Sequence, residues 1–435
     1  MTKTKAVSLV EIRNKIRENP EKMHQYIDDI CDRIDIVNSD VVALTPECER
    51  KKRLQNRVDT LQKEDFGSDD PLFGIPVGIK DVIHVDGFTT RAGTALPPEL
   101  FQGPEAPVVS KIKEAGGLIL KAETTEFAGS GPSQTRNPHD LKYSPGGSSS
   151  GSAAAVAAGL CPLAVGTQTG GSVIRPASFC GVVGFKPSFD RISTDGVITR
   201  SESLDHVGLF TQDVKDMEAA ASAIIDDWND EKVNIDPTLG IPTGPYLDQA
   251  SPEARSKFQD YVEILKKSGY DIKEVDMFDS YHDIDNRRHT LSLGELALNF
   301  DDFYENYKLF LRYKIIERLE RGQKVTTKEL ADARSLPNDL YEKIENTMET
   351  EDIDIWISPS ALGTAPKGIS TTGDSAMNRI WTAAGLPAIT IPVGSIDGLP
   401  MGLQCVCKYD SDEKLLQWGI EMSSKFNQIQ NRAHL

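Results

Sequence analysis

Two serine- and glycine-rich stretches and one lysine carry the chemistry this sequence can offer. The first stretch is Gly146-Gly147-Ser148-Ser149-Ser150-Gly151-Ser152, followed by Ala153-Ala154-Ala155. With no bulky side chain there, backbone amides can approach a ligand or another segment closely, and the serines are suited to cap the helix that the alanines propagate. The second stretch, Gly166-Thr167-Gln168-Thr169-Gly170-Gly171-Ser172, follows the strand-like Pro162 to Val165. A strand ending in Thr-Gly-Gly-Ser sets a hydroxyl at a sheet edge and leaves several backbone N–H groups free to converge, which is how an oxyanion hole is built. The lysine is Lys80, in Gly74-Ile75-Pro76-Val77-Gly78-Ile79-Lys80-Asp81-Val82-Ile83. As a strand, this segment puts Gly78, Lys80 and Val82 on one face, with Ile79 and Asp81 on the other. Burying an ammonium group is costly, so the lysine pKa should fall, and that makes the side chain usable as a neutral base.

Together the three segments resemble the amidase-signature family, over roughly residues 72 to 215 and more weakly around Gly385-Leu386-Pro387-Ala388-Ile389-Thr390-Ile391-Pro392. The resemblance implies Ser172 as nucleophile, Ser148 (preceded by a cis peptide) as proton relay and Lys80 as base. The two serines stand 24 positions apart, as in the family pattern. It also implies oxyanion donors among the N–H groups of Thr169, Gly170, Gly171 and Ser172, with Ser149 and Gln168 standing behind them. A serine hydroxyl is a weak nucleophile and must hand off its proton as it attacks an amide carbon. Ser148, both donor and acceptor, can take that proton while giving its own to neutral Lys80. The relay run backwards protonates the leaving amine, and water then hydrolyses the acyl-enzyme. Two positions depart from the family: Gln168 stands where Asp is common, and Ile174 where an arginine is common, with Arg175 one place later. If that Asp and Arg pair, their joint absence is a matched loss. The loop Gly129 to Pro138 reads as shorter than in many relatives and borders the expected pocket, so substrate preference does not carry over.

Competing readings of the same residues are weaker. Gly147-Ser148-Ser149-Ser150-Gly151 fits GxSxG with Ser149 as nucleophile, but that elbow should follow a strand, and here it follows the loop Asp140 to Pro145. Ser110-Lys111-Ile112-Lys113 fits SxxK on a helix face that reads as solvated. His206, in Ser203-Leu204-Asp205-His206, reads as a hydrogen-bonded structural histidine rather than part of a Ser-His-Asp set. Asp81 reads as the anchor of a neighbouring loop. Asn378 and Trp381 line the pocket by resemblance, with core packing an equal reading.

The elements that must hold these residues alternate. Helices are expected from Ser8-Leu9-Val10-Glu11, a capping box, then over Glu21 to Ile36 and Pro46 to Leu61, with a loop at 65–71. Strands are expected at Gly78 to Val82, Leu118 to Ala122, Leu163 to Gly166, Val182 to Phe185, Val207 to Thr211, Ile353 to Ser358, Ala388 to Val393 and Leu403 to Cys407. Helical segments such as Pro107 to Ala115 and Ser149 to Ala158 lie between them. The alternation argues an α/β fold, a large mixed sheet flanked by helices. Ser251-Pro252-Glu253 opens another helix, and Thr326 to Glu329 forms a capping box in a charged helical insertion at about 290–350. The expected organisation is a helical arm over 1–64 and a catalytic domain over 65–435.

Composition narrows the class. The chain has 435 residues, 39% of them hydrophobic, and no apolar run approaches the ~18 residues of a membrane span. The N-terminal apolar run is too short for a signal-peptide core, so the expected compartment is cytoplasmic. Four scattered cysteines, a fifth and sixth two positions apart at Cys405 and Cys407, and seven unclustered histidines make neither a disulfide framework nor a zinc site, and no metal or cofactor is called for. A net charge of −18 disfavours gripping nucleic acid unaided and predicts weak attraction for anionic substrates. The expected partner is a small-molecule amide, with no membrane, and a homodimer is compatible with the sequence. The expected activity is amide hydrolysis releasing ammonia or an amine. The alternative is the glutamine-hydrolysing component of a tRNA-dependent amidotransferase, its A subunit. A non-catalytic scaffold is the remote third.

Overall fold

The structure, a computed structural model, describes residues 3–63, 70–129, 131–229, 233 and 235–433. Three helices come first: α1 (Leu9–Glu18), α2 (Met23–Val41) and α3 (Arg50–Leu61). Leu9, Ile12 and Ile16 recur at helical spacing and are all buried. Only half of the expected capping box at Ser8 forms. Ser8 Oγ accepts the Glu11 N–H at 3.3 Å, but the N–H groups of Leu9 and Val10 donate to Asp216, at 2.9 and 3.0 Å, and Ser8 Oγ donates to it at 2.9 Å. A carboxylate from a distant helix is the stronger acceptor for a helix start. Most of the expected loop at 65–71 lies outside the described residues.

Ten strands form one mixed sheet among the described residues. They are β1 (Pro76–Lys80), β2 (Leu118–Ala122), β3 (Leu163–Gln168), β4 (Val183–Lys186), β5 (His206–Thr211), β6 (Leu239–Thr243), β7 (Ile272–Asp276), β8 (Ile355–Pro359), β9 (Ala388–Ile396) and β10 (Leu399–Val406). Their order is β2-β1-β3-β5-β4-β9-β10-β8-β6-β7. The pairs β1–β2, β1–β3, β6–β7 and β6–β8 are parallel, and the centre is antiparallel. The strand carrying Lys80 ends two residues earlier than the sequence suggests, because the N–H groups of Val82 and Ile83 turn back to the Lys80 carbonyl at 2.8 and 3.0 Å. The lysine therefore sits at the carboxyl end of β1. Strands β6 and β7 are not foreseen from sequence. Pro242 interrupts β6, which meets β8 only at Leu239 and Gly240, and β7 is a charged, partly exposed edge strand.

Helices pack on this sheet: α4 (Pro107–Glu114), α5 (Ser150–Ala157), α6 (Ile174–Cys180), α7 (Val214–Ile224) and α8 (Pro252–Lys267). The charged region supplies α9 (Tyr281–Tyr307), α10 (Tyr313–Gly322), α11 (Thr327–Ala333) and α12 (Leu336–Thr350), followed by α13 (Ala376–Ala383) and α14 (Asp412–Ala433). Both halves of the Thr326–Glu329 capping box form, and Ser251 caps α8 with Pro252 in its first turn. Every residue of α5 is buried, which its small side chains permit. At Gly151 a Cβ would lie 2.3 Å from the carbonyl oxygen of Ala43 and the nitrogen of Glu123, so only glycine lets this helix pass. One hydrophobic cluster runs from Leu9 to Phe426. No helix among the described residues is long and apolar enough to cross a membrane.

The Asp216 cap ties the first helix to α7. Asp216→Ala strands one buried and one part-buried N–H donor and should cost about 1–3 kcal/mol, read as a lower urea midpoint at unchanged slope. An unchanged midpoint would contradict the account.

Candidate active site

Lys80 has no exposed surface. Its Nζ lies 2.7 Å from Ser148 Oγ, 2.7 Å from Thr167 Oγ1 and 3.4 Å from the Thr167 carbonyl. Burial holds its pKa well below the ordinary lysine range; Asp205 offsets this in part and Arg200 adds to it. The amine is thus held in the neutral direction with two hydroxyls in reach. Thr167 is not foreseen from sequence, since a threonine at a strand end carries no signal by itself. Ser149 fixes it: the Ser149 hydroxyl donates to the Thr167 carbonyl at 3.1 Å and accepts the Thr167 N–H at 3.2 Å. Ser149 starts α5 but makes no side-chain cap, so the expected capping role goes to bracing β3 instead.

The peptide bond Gly147–Ser148 is cis. The Ser148 carbonyl accepts from the Thr125 N–H and the Thr124 hydroxyl, both at 3.3 Å. Ser172 follows the carboxyl end of β3, beside the carboxyl end of β1, the usual place for a site in a parallel sheet. It is partly exposed and lines a cavity of about 230 Å³ together with Thr169, Gly170 and Gly171. Among the described residues no protein group hydrogen-bonds the Ser172 hydroxyl or takes the N–H groups of Thr169, Gly170, Gly171 and Ser172. The structure thus joins Lys80 to Ser148 directly and sets Ser172 on the cavity wall with donors beside it.

The two departures from the family pattern have a structural account. Gln168 Oε1 accepts the N–H groups of Val173 and Ile174, at 2.7 and 3.0 Å, and its Nε2 donates to Thr382 Oγ1 at 3.0 Å. The start of α6 has no cap of its own, so Gln168 caps it and fixes the turn that carries Ser172. Ile174 is buried in the core. Arg175 donates to the Gly147 carbonyl at 2.5 Å and to Thr372 Oγ1 at 3.4 Å, bracing the segment next to Ser148. Gln168 and Arg175 therefore each hold one of the two serine segments. At Gly171 a Cβ would lie 2.3 Å from Asn378 Oδ1, so the turn packs directly on Asn378. That side chain donates to the Ser360 carbonyl and Gln404 Oε1, at 2.9 and 2.8 Å.

The remaining cavity wall is cationic and was not foreseen. Arg175, Arg200, Arg288, Arg318 and Arg379 line it, with Asp374. Arg288, on α9, donates to the Thr169 carbonyl at 2.6 Å, and Arg200 to the Ala128 carbonyl at 3.0 Å. Asp205 accepts the Thr169 hydroxyl at 2.5 Å and the N–H groups of Arg200 and Ser201 at 2.7 and 3.0 Å; burial raises its pKa. The histidine beside it, His206, points to the Leu204 carbonyl at 2.8 Å and packs edge-on against Phe189, a structural role. Asp81 accepts the Arg91 N–H at 3.0 Å and pairs with Lys121 at 3.0 Å, anchoring a loop. Trp381 donates to the Tyr246 hydroxyl at 2.7 Å within an aromatic core. Among the described residues no group of His, Cys, Asp and Glu is placed to hold a metal ion.

Comparison with known proteins bears on the family and the fold. The family model for amidases matches residues 25–416. The A subunit of the glutamyl-tRNA(Gln) amidotransferase of Clostridium botulinum is 32% identical over 422 residues, covering 84% of this chain and 86% of its own. The Staphylococcus aureus protein of the same description is 29% identical over 475 residues, covering 97% of each. A solved amidase structure superposes with a TM-score of 0.87 at 26% identity, over 96% of this chain and 100% of that one. The peptide amidase of Stenotrophomonas maltophilia shares the fold, with a TM-score of 0.82 at 24% identity over 97% of each chain. This chain belongs to the amidase family, the amidase-signature hydrolases of carbon–nitrogen bonds.

Proposed function

We propose that this protein hydrolyses a linear carboxylic amide through a serine acyl-enzyme, with Ser172 as nucleophile, Ser148 as proton relay and Lys80 as base. The observation that carries this reading is the 2.7 Å contact between a fully buried lysine amine and the Ser148 hydroxyl, next to a cavity lined by Ser172. Ser172 Oγ attacks the amide carbon as its proton passes to Ser148, whose own proton passes to Lys80 Nζ. The N–H groups of the 169–172 turn receive the charge that develops on the carbonyl oxygen. The relay returns a proton to the leaving nitrogen, the carbon–nitrogen bond breaks, and water releases the acid by the same steps. The relay requires the Ser172 hydroxyl to donate to Ser148, a catalytic contact of the kind that often tightens only in the complex.

A second reading follows from the curated relatives at 29–32% identity: the amide is that of glutamine, and the chain serves as the A subunit of an amidotransferase. Glutaminase turnover that appears only with companion proteins would favour it, whereas a lone chain that hydrolyses amides favours the first reading.

Ser172→Ala should lower kcat/KM by at least about 10⁴-fold, and retained activity would sink the mechanism. The rate should fall tenfold per pH unit as Lys80 becomes protonated at low pH, because only the neutral amine accepts a proton. A profile flat from about pH 5 to 9 would contradict a lysine base. Gln168→Met leaves the N–H groups of Val173 and Ile174 without a partner. It should cut kcat about 10–100-fold with little change in KM, since the Ser172 turn loses its brace while the pocket keeps its walls; wild-type kcat would contradict that role.

A further inference from the structure

The cavity beside Ser172 has the opposite sign from the molecule as a whole. The chain carries a net charge of −18, yet five arginines line this one cavity, against the single carboxylate of Asp374. Arg379 is matched, by Asp285 at 3.0 Å and Asp374 at 3.3 Å. Arg175, Arg200 and Arg288 are not: they are 4, 5 and 6% exposed, and among the described residues none has a carboxylate within 4.0 Å. Each is given a backbone carbonyl instead, and the Nε of all three is buried with no hydrogen-bond partner. A buried charge with no ion-pair partner costs several kcal/mol, and the more distant Asp205, Asp285 and Asp374 offset this only in part. Burial accordingly depresses these guanidinium groups, Arg175 to about 10 and Arg288 to about 9.

The placement is specific to the reacting end of the cavity. A Cβ at Gly170 would meet Arg288 Nη2 at 2.9 Å, so this guanidinium lies against the turn that carries Ser172. A smaller hollow shares Gly129 and Arg318 with the cavity and adds Arg312 and Lys314 beside the carboxylate of Glu126, so basic groups continue beyond the cavity. Among the described residues the only apolar side chain on the cavity wall is Ala128. An aryl or aliphatic amide would find little to pack against and would leave three guanidinium groups dry. The cavity of about 230 Å³ is below the ~300–1,000 Å³ of sites for drug-sized ligands, so the ligand is compact. An ammonium group would meet five guanidinium groups against one carboxylate, Asp374, already paired with Arg379.

We propose that the substrate is a compact anionic amide, bearing carboxylate or phosphate on its acyl side and no ammonium group, gripped by Arg288, Arg200, Arg318 and Arg175. This rests on the amidase reading and adds the substrate class to it; free glutamine, with its ammonium, fits poorly.

The test is calorimetric titration of the full chain with four probes: succinate, inorganic phosphate, the neutral isostere succinamide, and glutamine. Turnover of succinamate and succinamide is measured in parallel. The expected result is binding of succinate or phosphate at least about tenfold tighter than succinamide or glutamine. A lead for succinate assigns carboxylate, and a lead for phosphate assigns a phosphorylated amide. Arg288→Gln and Arg318→Gln should each weaken the anion about tenfold, while Arg255→Gln, on the exposed surface, should not. Should the buried variants fail to fold, the wild-type ranking still decides. Equal binding of anions and succinamide, or tighter glutamine, overturns the proposal. Hydrolysis of succinamide with a KM unmoved in Arg288→Gln overturns it and leaves the amidase reading standing. Tight anion binding with no hydrolysis of any anionic amide overturns the amidase reading instead.

Discussion

A lysine amine inside a ten-stranded sheet is tolerable only when it is neutral and its hydrogen bonds are satisfied, and the architecture around Lys80 meets both demands. The flanking strands β2 and β3 seal it from water, which moves its pKa down. Ser148 and Thr167 supply the polar partners. Thr167 can do so because Ser149 bonds both its carbonyl and its N–H. Removing water from one amine therefore dictates three hydroxyl residues from two separate segments. Thr167 reaches Lys80 because β1 and β3 are parallel neighbours whose carboxyl ends open on the same side.

Around that centre, rigidity comes from side chains that cap or brace backbone groups of another element. Gln168 caps α6 from the end of β3, and Asp216 caps α1 from α7. Arg175 reaches from α6 to the carbonyl before Ser148. The Ser172 turn is thus braced from within its own segment by Gln168, and the Ser148 segment from the continuation of the other by Arg175.

The parts legible in the sequence were those fixed by local pattern. Apolar runs bounded by glycine and proline marked eight of the ten strands, and the helical periods of Leu9, Ile12 and Ile16 marked a buried face. Lys80 stood out because an apolar strand with a charge in it is a local contradiction. What could not be read is non-local. Nothing near Asp216 says that it caps residue 9, and nothing near Thr167 says that it meets Lys80. The edge strand β7 looks like a surface loop because its charges face water. The cationic wall was invisible for the same reason: Arg175, Arg200, Arg288, Arg318 and Arg379 come from scattered segments of an acidic chain, and only the fold collects them. Overall charge therefore pointed away from anions, while the cavity points towards them. In Asp205-His206, the histidine drew the reading, yet it is the aspartate that holds Thr169.

The central claim is that Ser172, and no neighbouring serine, is the activated nucleophile. A fluorophosphonate probe, which loses fluoride to an activated serine, followed by peptide mapping of the labelled full chain, reads this directly. The account predicts a single adduct on Ser172 that is lost in Lys80→Ala. An adduct on Ser149, or labelling of Ser172 that persists at full rate without Lys80, would contradict it.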